Sequence, residues 1–163
     1  MLMNDDEPPA YAEPPELHGR HLLTCRTIWY DPRRPEAGFS LGGVYVHVEP
    51  PEGDSFPIRL DLVFIYFQLR GDQGEYRLRI RFVSIVVNDD GDEEEIQLGR
   101  NGEPREFSMP GTRLVSVSGI EYVEQIVFRI GPIPFADAGL YEYQLWAEGY
   151  GKPITRERVL ARE

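Results

Sequence analysis

The sequence has a single cysteine, Cys25, among 163 residues. One thiol cannot form a disulfide within the chain, and it cannot complete a cysteine-ligated zinc site. Because Cys25 follows the apolar residues 22–23, we expect it to be a small buried side chain. A nucleophilic cysteine would need a nearby base, and the three histidines, His18, His21 and His47, leave that alternative open.

Basic residues and long apolar runs are also scarce. Lys and Arg total 17 against 28 Asp and Glu, which gives a formal charge of −11. A nucleic-acid backbone or an anionic membrane binds a basic face, so we predict neither as a partner. No apolar run reaches the about 18 residues that a transmembrane helix needs.

The first 17 residues lack the features of a secretory signal, which needs a basic start and an apolar run. They carry instead three adjacent acids at 5–7 and prolines at 8, 9, 14 and 15. Such a composition cannot bury enough apolar surface to become ordered. The sequence therefore predicts a disordered arm over residues 1–17, a single β-sandwich domain over residues 18–163, and a cytoplasmic protein.

The motifs of nucleotide binding and serine catalysis are missing. The chain has no G-x-x-x-x-G-K-[ST] loop, no G-x-G-x-x-G loop and no G-x-S-x-G elbow. The acidic run 89–95 offers closely spaced carboxylates for calcium, but Gln97 stands where an EF-hand would place its glutamate. An exposed hairpin tip is the alternative reading of this run. We predict no catalytic residue, no cofactor and no metal site.

The apolar residues follow the strand period of two. Tyr76, Leu78, Ile80 and Phe82 alternate with Arg77, Arg79 and Arg81. Similar segments predict strands at 21–29, 44–49, 58–69, 75–87, 94–98, 114–118, 125–130, 140–148 and 155–161. Gly and Pro turns separate them, and residues 71–74 read as a hairpin loop between the two longest strands. Many short strands at regular spacing indicate an all-β protein, an antiparallel two-sheet β-sandwich.

The most specific local motif is D-x-G-x-Y, formed by Asp137, Gly139 and Tyr141. It resembles the tyrosine corner of immunoglobulin-like domains. The resemblance implies that the Tyr141 hydroxyl hydrogen-bonds back to the preceding connection while its ring enters the core, and that Gly139 permits a close backbone approach. Tyr143 stands where an antibody-type domain has its second cysteine. The resemblance therefore implies an Ig-like sandwich without a disulfide.

A broader resemblance covers residues 21–161. It rests on the early L-x-C-R strand at 23–26, the Gly-Gly-Val turn at 42–44, the Phe-Pro step at 56–57, the G-E-Y-x-L segment at 74–78 and the closing A-G-x-Y-x-Y-x-L-W-x-x-G at 138–149. These motifs resemble a bacterial family known only as a domain of unknown function. The resemblance implies a small β-sandwich and assigns no functional residue.

Two surface stripes are candidate contact sites. Trp146 is out of phase with the apolar Tyr141, Tyr143 and Leu145, so the alternation places it on the outer face. Its neighbours on that face are Glu142, Gln144 and Glu148, and the second stripe is Arg77, Arg79 and Arg81. An outward Trp suits a protein contact or a sugar, and guanidinium groups suit an acidic partner. The alternatives are a loop such as 30–38 that folds over Trp146, and arginines paired with neighbouring acids.

Three functions are compatible with these features. The first is a non-catalytic binding or protein-interaction module that contacts a protein partner or a second copy of itself. The second is an enzyme for a small ligand or carbohydrate, built on a sandwich cleft. The third is a structural subunit of a larger assembly. The scaffold alone chooses none of them.

Overall fold

The computed structural model describes residues 13–97 and 112–163. In these segments the chain forms strands and one short 3₁₀ turn, Pro35–Ala37, and no helix is long and apolar enough to cross a membrane. The strands are β1 Leu17–Tyr30, β2 Phe39–Val44, β3 His47–Val48, β4 Ile58–Leu60, β5 Val63–Gly71, β6 Gly74–Val87, β7 Glu93–Gln97, β8 Arg113–Val117, β9 Glu124–Ile130, β10 Ile133–Phe135, β11 Gly139–Ala147 and β12 Thr155–Ala161.

The strands form two main sheets. The first has the order β2-β1-β5-β9, and the second has the order β3-β12-β11-β6-β7, with β8 also paired to β6. A small third sheet joins β10 to β4. All neighbouring strands are antiparallel except β3 and β12, which run parallel. The predicted all-β class is confirmed, and the one cysteine is free.

A single apolar core joins residues of both main sheets, in a sandwich-like arrangement. From the first sheet, Phe67 and Phe128 pack edge to face at 5.2 Å between ring centroids. From the second, Phe82 stacks on Tyr141 at 5.4 Å. The alternation predicted for β6 is confirmed, because Tyr76, Leu78, Ile80 and Phe82 are all buried.

The connection between β5 and β6 corrects one prediction. Residues 71–74 do not form a hairpin, because β5 lies in the first sheet and β6 in the second. The chain passes from the first sheet to the second here, and Glu16, just before β1, forms hydrogen bonds with this connection. The Asp72 N–H donates to the Glu16 carbonyl at 2.8 Å, and the Glu16 N–H donates to the Asp72 carboxylate at 2.8 Å. Two apolar strands can face each other across a core as well as pair side by side, and their sequences look the same in both cases.

The predicted strand 58–69 is divided in two. It breaks after Leu60, so that β4 pairs with β10 while β5 pairs with β9. Gly131 packs against the break, where a side chain would meet the Asp61 carbonyl oxygen. Strands β2 and β10 were not predicted at these positions. β10 has only three residues and contains a proline, so it lacks a strand signal.

The acidic hairpin between β6 and β7 is confirmed. The Asn88 side-chain oxygen accepts the N–H groups of Asp90 and Asp92 at 3.1 and 2.9 Å, and Gly91 takes a positive φ of 86°. In the described segments, no group of three or more metal-ligating side chains is close enough to hold an ion.

The predicted arm lies partly outside the described residues, since the description begins at residue 13. β1 already includes Leu17, the last residue assigned to the arm, and Leu17 is buried in the core. Before it, the Pro15 carbonyl accepts a hydrogen bond from the Tyr150 hydroxyl. The folded unit therefore begins before residue 18.

Cys25 is completely buried, as its apolar neighbours predicted. Burial raises the pKa of the Cys25 thiol, so the reactive thiolate is disfavoured. The side chain lies on β1, opposite Val44 of β2 and Phe64 of β5. These features agree with the packing role and give no support to a nucleophile.

Candidate functional site

The candidate site lies on the outer face of the second sheet, where β11 pairs with β6. Trp146 stands opposite Arg79 in this register, and Gln144 opposite Arg81. Trp146 is half-buried and does not belong to the apolar core. The alternation along β11 therefore placed this side chain on the correct face.

Two guanidinium groups flank the Trp146 ring. The Cζ atoms of Arg79 and Arg81 lie 5.9 and 5.2 Å from the ring centroid. At these distances the cation is attracted to the negative face of the ring. The indole N–H donates to the Gln144 side-chain oxygen at 3.0 Å, which fixes the orientation of the ring.

Glu142 and Gln144 correct the prediction that they flank Trp146 on an exposed face. Both side chains have 0% exposure. Glu142 accepts a hydrogen bond from Arg158 Nε at 3.1 Å and lies 3.7 Å from Arg156 Nη1. Gln144 donates to Glu142 at 2.8 Å and to Glu95 at 2.9 Å. These residues cannot contact a partner directly, and they position Trp146 instead.

The same network uses part of the acidic run. Arg158 donates two parallel hydrogen bonds to the Glu93 carboxylate, at 3.0 and 2.6 Å. These contacts lower the pKa of the Glu93 carboxyl group and raise the pKa of the Arg158 guanidinium. The chain of contacts thus runs from Glu93 through Arg158, Glu142 and Gln144 to Trp146. Sequence reasoning missed Arg158, although it lies at an outward position of β12 beside the buried Val159.

The three arginines of the predicted stripe have different partners. Arg77 lies 3.6 Å from the Glu148 carboxylate, and both side chains are largely exposed. Arg79 forms a contact with Trp146 but no ion pair with any residue that the structure describes. Arg81 also contacts Trp146 and is partly covered. Cross-strand pairing with acids therefore accounts for Arg77 and leaves the charge of Arg79 available to a ligand.

A shallow cleft adjoins these arginines. It has a volume of about 260 Å³, and its lining includes Arg77, Arg79, Glu148 and Tyr150. A second depression of about 410 Å³ shares Arg77, Glu148 and Tyr150 with this cleft, and its lining also includes Leu114. Tyr150 was not predicted as a site residue. It lies three residues after the end of β11, and its hydroxyl donates a hydrogen bond to the Pro15 carbonyl.

The loop 30–38 does not cover Trp146. Tyr30 packs on Phe39 at 5.2 Å, and Phe39 packs on Tyr66 of the first sheet at 6.1 Å. A side chain at Gly38 would meet the amide of Gln125, which is also on the first sheet. This loop thus folds onto the opposite side of the sandwich, and Trp146 keeps its exposed portion.

Comparisons with protein-family models, with curated proteins and with solved structures gave no significant match.

Proposed function

We propose that the protein is a non-catalytic binding module that contacts an acidic segment of a protein partner through Trp146 and Arg79, with the ion-paired Arg77 beside them. The observation that carries this proposal is the partly exposed Trp146 ring, held by Gln144 and two guanidinium groups beside an open cleft. We define the contact face as Trp146, Arg77, Arg79 and Glu148. This contact face is supported by neighbouring side chains that lie beneath it or beside it: Glu142, Gln144 and Arg81.

The contact face combines the two side chains that contribute most to protein interfaces. When interface residues are replaced by alanine one at a time, Trp and Arg are among the residues whose loss costs the most binding free energy. The Trp146 ring is already oriented by its hydrogen bond to Gln144, so less conformational freedom is lost on binding. Arg79 presents planar donors that match a carboxylate. An acidic protein segment can pack on the Trp146 ring and pair with the Arg79 guanidinium at the same time.

We also propose that the scaffold is an Ig-like sandwich. In support, β1-β5-β9 and β12-β11-β6 repeat the order of the two sheets in that fold, with β12 as the last strand. The Tyr141 hydroxyl donates to the Asp137 carbonyl at 2.9 Å and accepts the Asp137 N–H at 3.2 Å, as a tyrosine corner requires. The expected close backbone approach at Gly139 is not found, since a side chain there would meet no atom within 4 Å. The bacterial family resemblance stays a proposal of the same kind.

The test is capture of protein partners from a lysate of the native host, followed by mass spectrometry. The wild-type chain is compared with Arg79→Ala and Trp146→Ala, with Trp29→Ala as the matched control. Trp29 is 63% exposed and belongs to the first sheet. We expect the two contact-face variants to lose a partner that the wild type and the control both retain.

Thermal unfolding of each variant separates a lost contact from lost folding. Arg79 is exposed, so its truncation leaves the melting temperature close to that of the wild type. If Arg79→Ala and Trp146→Ala fold normally and capture the same proteins as the wild type, the contact face is not a binding site.

A further inference from the structure

The connection between β8 and β9 exposes three large apolar side chains that are close together in the sequence. Ile120, Tyr122 and Val123 have exposed fractions of 43%, 60% and 52%. We call residues 118–123 the apolar loop. Single exposed apolar residues are ordinary, but a cluster of large ones on one loop indicates a contact surface.

The apolar loop is held in one conformation by hydrogen bonds at both ends. The Ser118 N–H and hydroxyl both donate to the Glu124 carboxylate, at 3.2 and 2.6 Å. Within the loop, the Tyr122 N–H donates to the Gly119 carbonyl at 3.1 Å. A loop that is already ordered loses little conformational entropy when it binds.

The charge of the loop complements the contact face of the same chain. Residues 118–123 include Glu121, which is exposed, and no basic residue. The cleft beside the contact face is lined by Arg77, Arg79, Glu148 and Tyr150. The Trp146 ring adjoins it through its contact with Arg79. An acidic and aromatic loop therefore fits a basic and aromatic cleft, which is the pairing that steers and orients protein association.

The loop and the cleft are close together in the fold. In the pairing of β8 with β6, Val117 lies opposite Gly74 and Leu114 lies opposite Arg77. Three strand residues span about 10 Å, so the loop begins about that far from the cleft. Leu114 is 54% exposed and lies between them. When two complementary surfaces adjoin, a two-fold axis can bring each one against its counterpart in a second copy.

We propose that the chain forms a two-fold symmetric homodimer in which the apolar loop of each copy enters the cleft beside Arg77 and Arg79 of the other. This inference rests on the proposed function, because it names a second copy as the partner of the contact face. Tyr122 contacts Trp146 of the opposite copy, and Glu121 pairs with Arg79. Leu114 lies at the centre of the interface.

Sedimentation velocity over a wide range of concentration tests the dimer. The wild-type chain is compared with Tyr122→Ala, Arg79→Ala and the control Trp29→Ala. We expect dimers of the wild type and the control, and dimerisation weakened by about tenfold or more in the other two. A charge swap sharpens the test. Glu121→Lys and Arg79→Glu each weaken the dimer, and the chain that carries both regains it, because each reversed loop meets a reversed cleft.

Two results would overturn the homodimer. One is a wild type that stays monomeric at every concentration, and the other is a Tyr122→Ala variant that dimerises as well as the wild type. Neither result removes the proposed function, which is judged by the capture of other partners through Trp146. If Arg79→Ala and Trp146→Ala leave that capture unchanged while the wild type is monomeric, both proposals fail together.

Discussion

Tyr141 is the residue whose role follows most directly from its local sequence. Its ring is 3% exposed among Phe82 and Phe135, and its hydroxyl exchanges two hydrogen bonds with Asp137. Tyr141→Phe removes only the hydroxyl, which should reduce the free energy of unfolding by about 1 kcal/mol. Tyr141→Ala also leaves a cavity and should cost about 3–5 kcal/mol. Urea unfolding measures both, and equal, near-zero effects would remove the case for a tyrosine corner.

The exposure of Glu142 and Gln144 was predicted wrongly for one reason. Alternation along β11 tells which face a residue occupies, and it assigned Trp146, Glu142 and Gln144 to the same face correctly. It does not tell whether long side chains from neighbouring strands cover that face. Arg158 reaches across from β12 and Glu95 from β7, and these contacts leave Glu142 and Gln144 fully buried.

At the scale of the strand, β11 offers a comparison between a buried and an exposed carboxylate. Glu142 is inaccessible and has two arginine neighbours, whereas Glu148, just after the strand, is exposed and has one. Glu142→Ala removes the acceptor of Arg158 Nε and of the buried Gln144 amide and should cost about 1.5–3 kcal/mol. Glu148→Ala breaks a screened surface pair and should cost at most about 1 kcal/mol.

Chemical denaturation of the two variants checks this difference. Similar losses of stability in Glu142→Ala and Glu148→Ala would mean that the network does not hold the outer face together. The near-ultraviolet circular dichroism of Trp146 gives a second measure. Removing Glu142 takes away one of the two acceptors that hold the Gln144 amide, so the ring signal should fall in that variant and not in the other.

The strands themselves were predicted more accurately than their partners. β6, β9, β11 and β12 lie within one residue of the predicted bounds, because their alternation is long and is ended by turns. Partners depend on contacts far apart in sequence. The pairing of β5 with β9, and the crossing at residues 71–74, follow from which faces meet in the core, and no local pattern specifies that.

At the scale of the whole molecule, the N-terminal boundary decides how much of the chain the fold needs. The composition of residues 1–12 predicts that they contribute little, whereas residues 15–17 make contacts with three separate parts of the fold. The Pro15 carbonyl accepts from Tyr150, Glu16 bonds twice with Asp72, and Leu17 is in the core. These contacts tie the start of β1 to the crossing between the two sheets.

Two truncations therefore differ in their expected effect. Deletion of residues 1–12 should leave the melting temperature within a few degrees of that of the full chain. Deletion of residues 1–17 also removes a buried leucine and the hydrogen bonds of Glu16, which together contribute about 3–5 kcal/mol. At about 2–4 °C per kcal/mol for a domain of this size, the melting temperature should fall by about 10 °C. Differential scanning calorimetry measures both, with Leu17→Ala in the full chain as the matched variant. If the two truncated chains melt together, residues 13–17 do not stabilise the fold and the domain begins at residue 18.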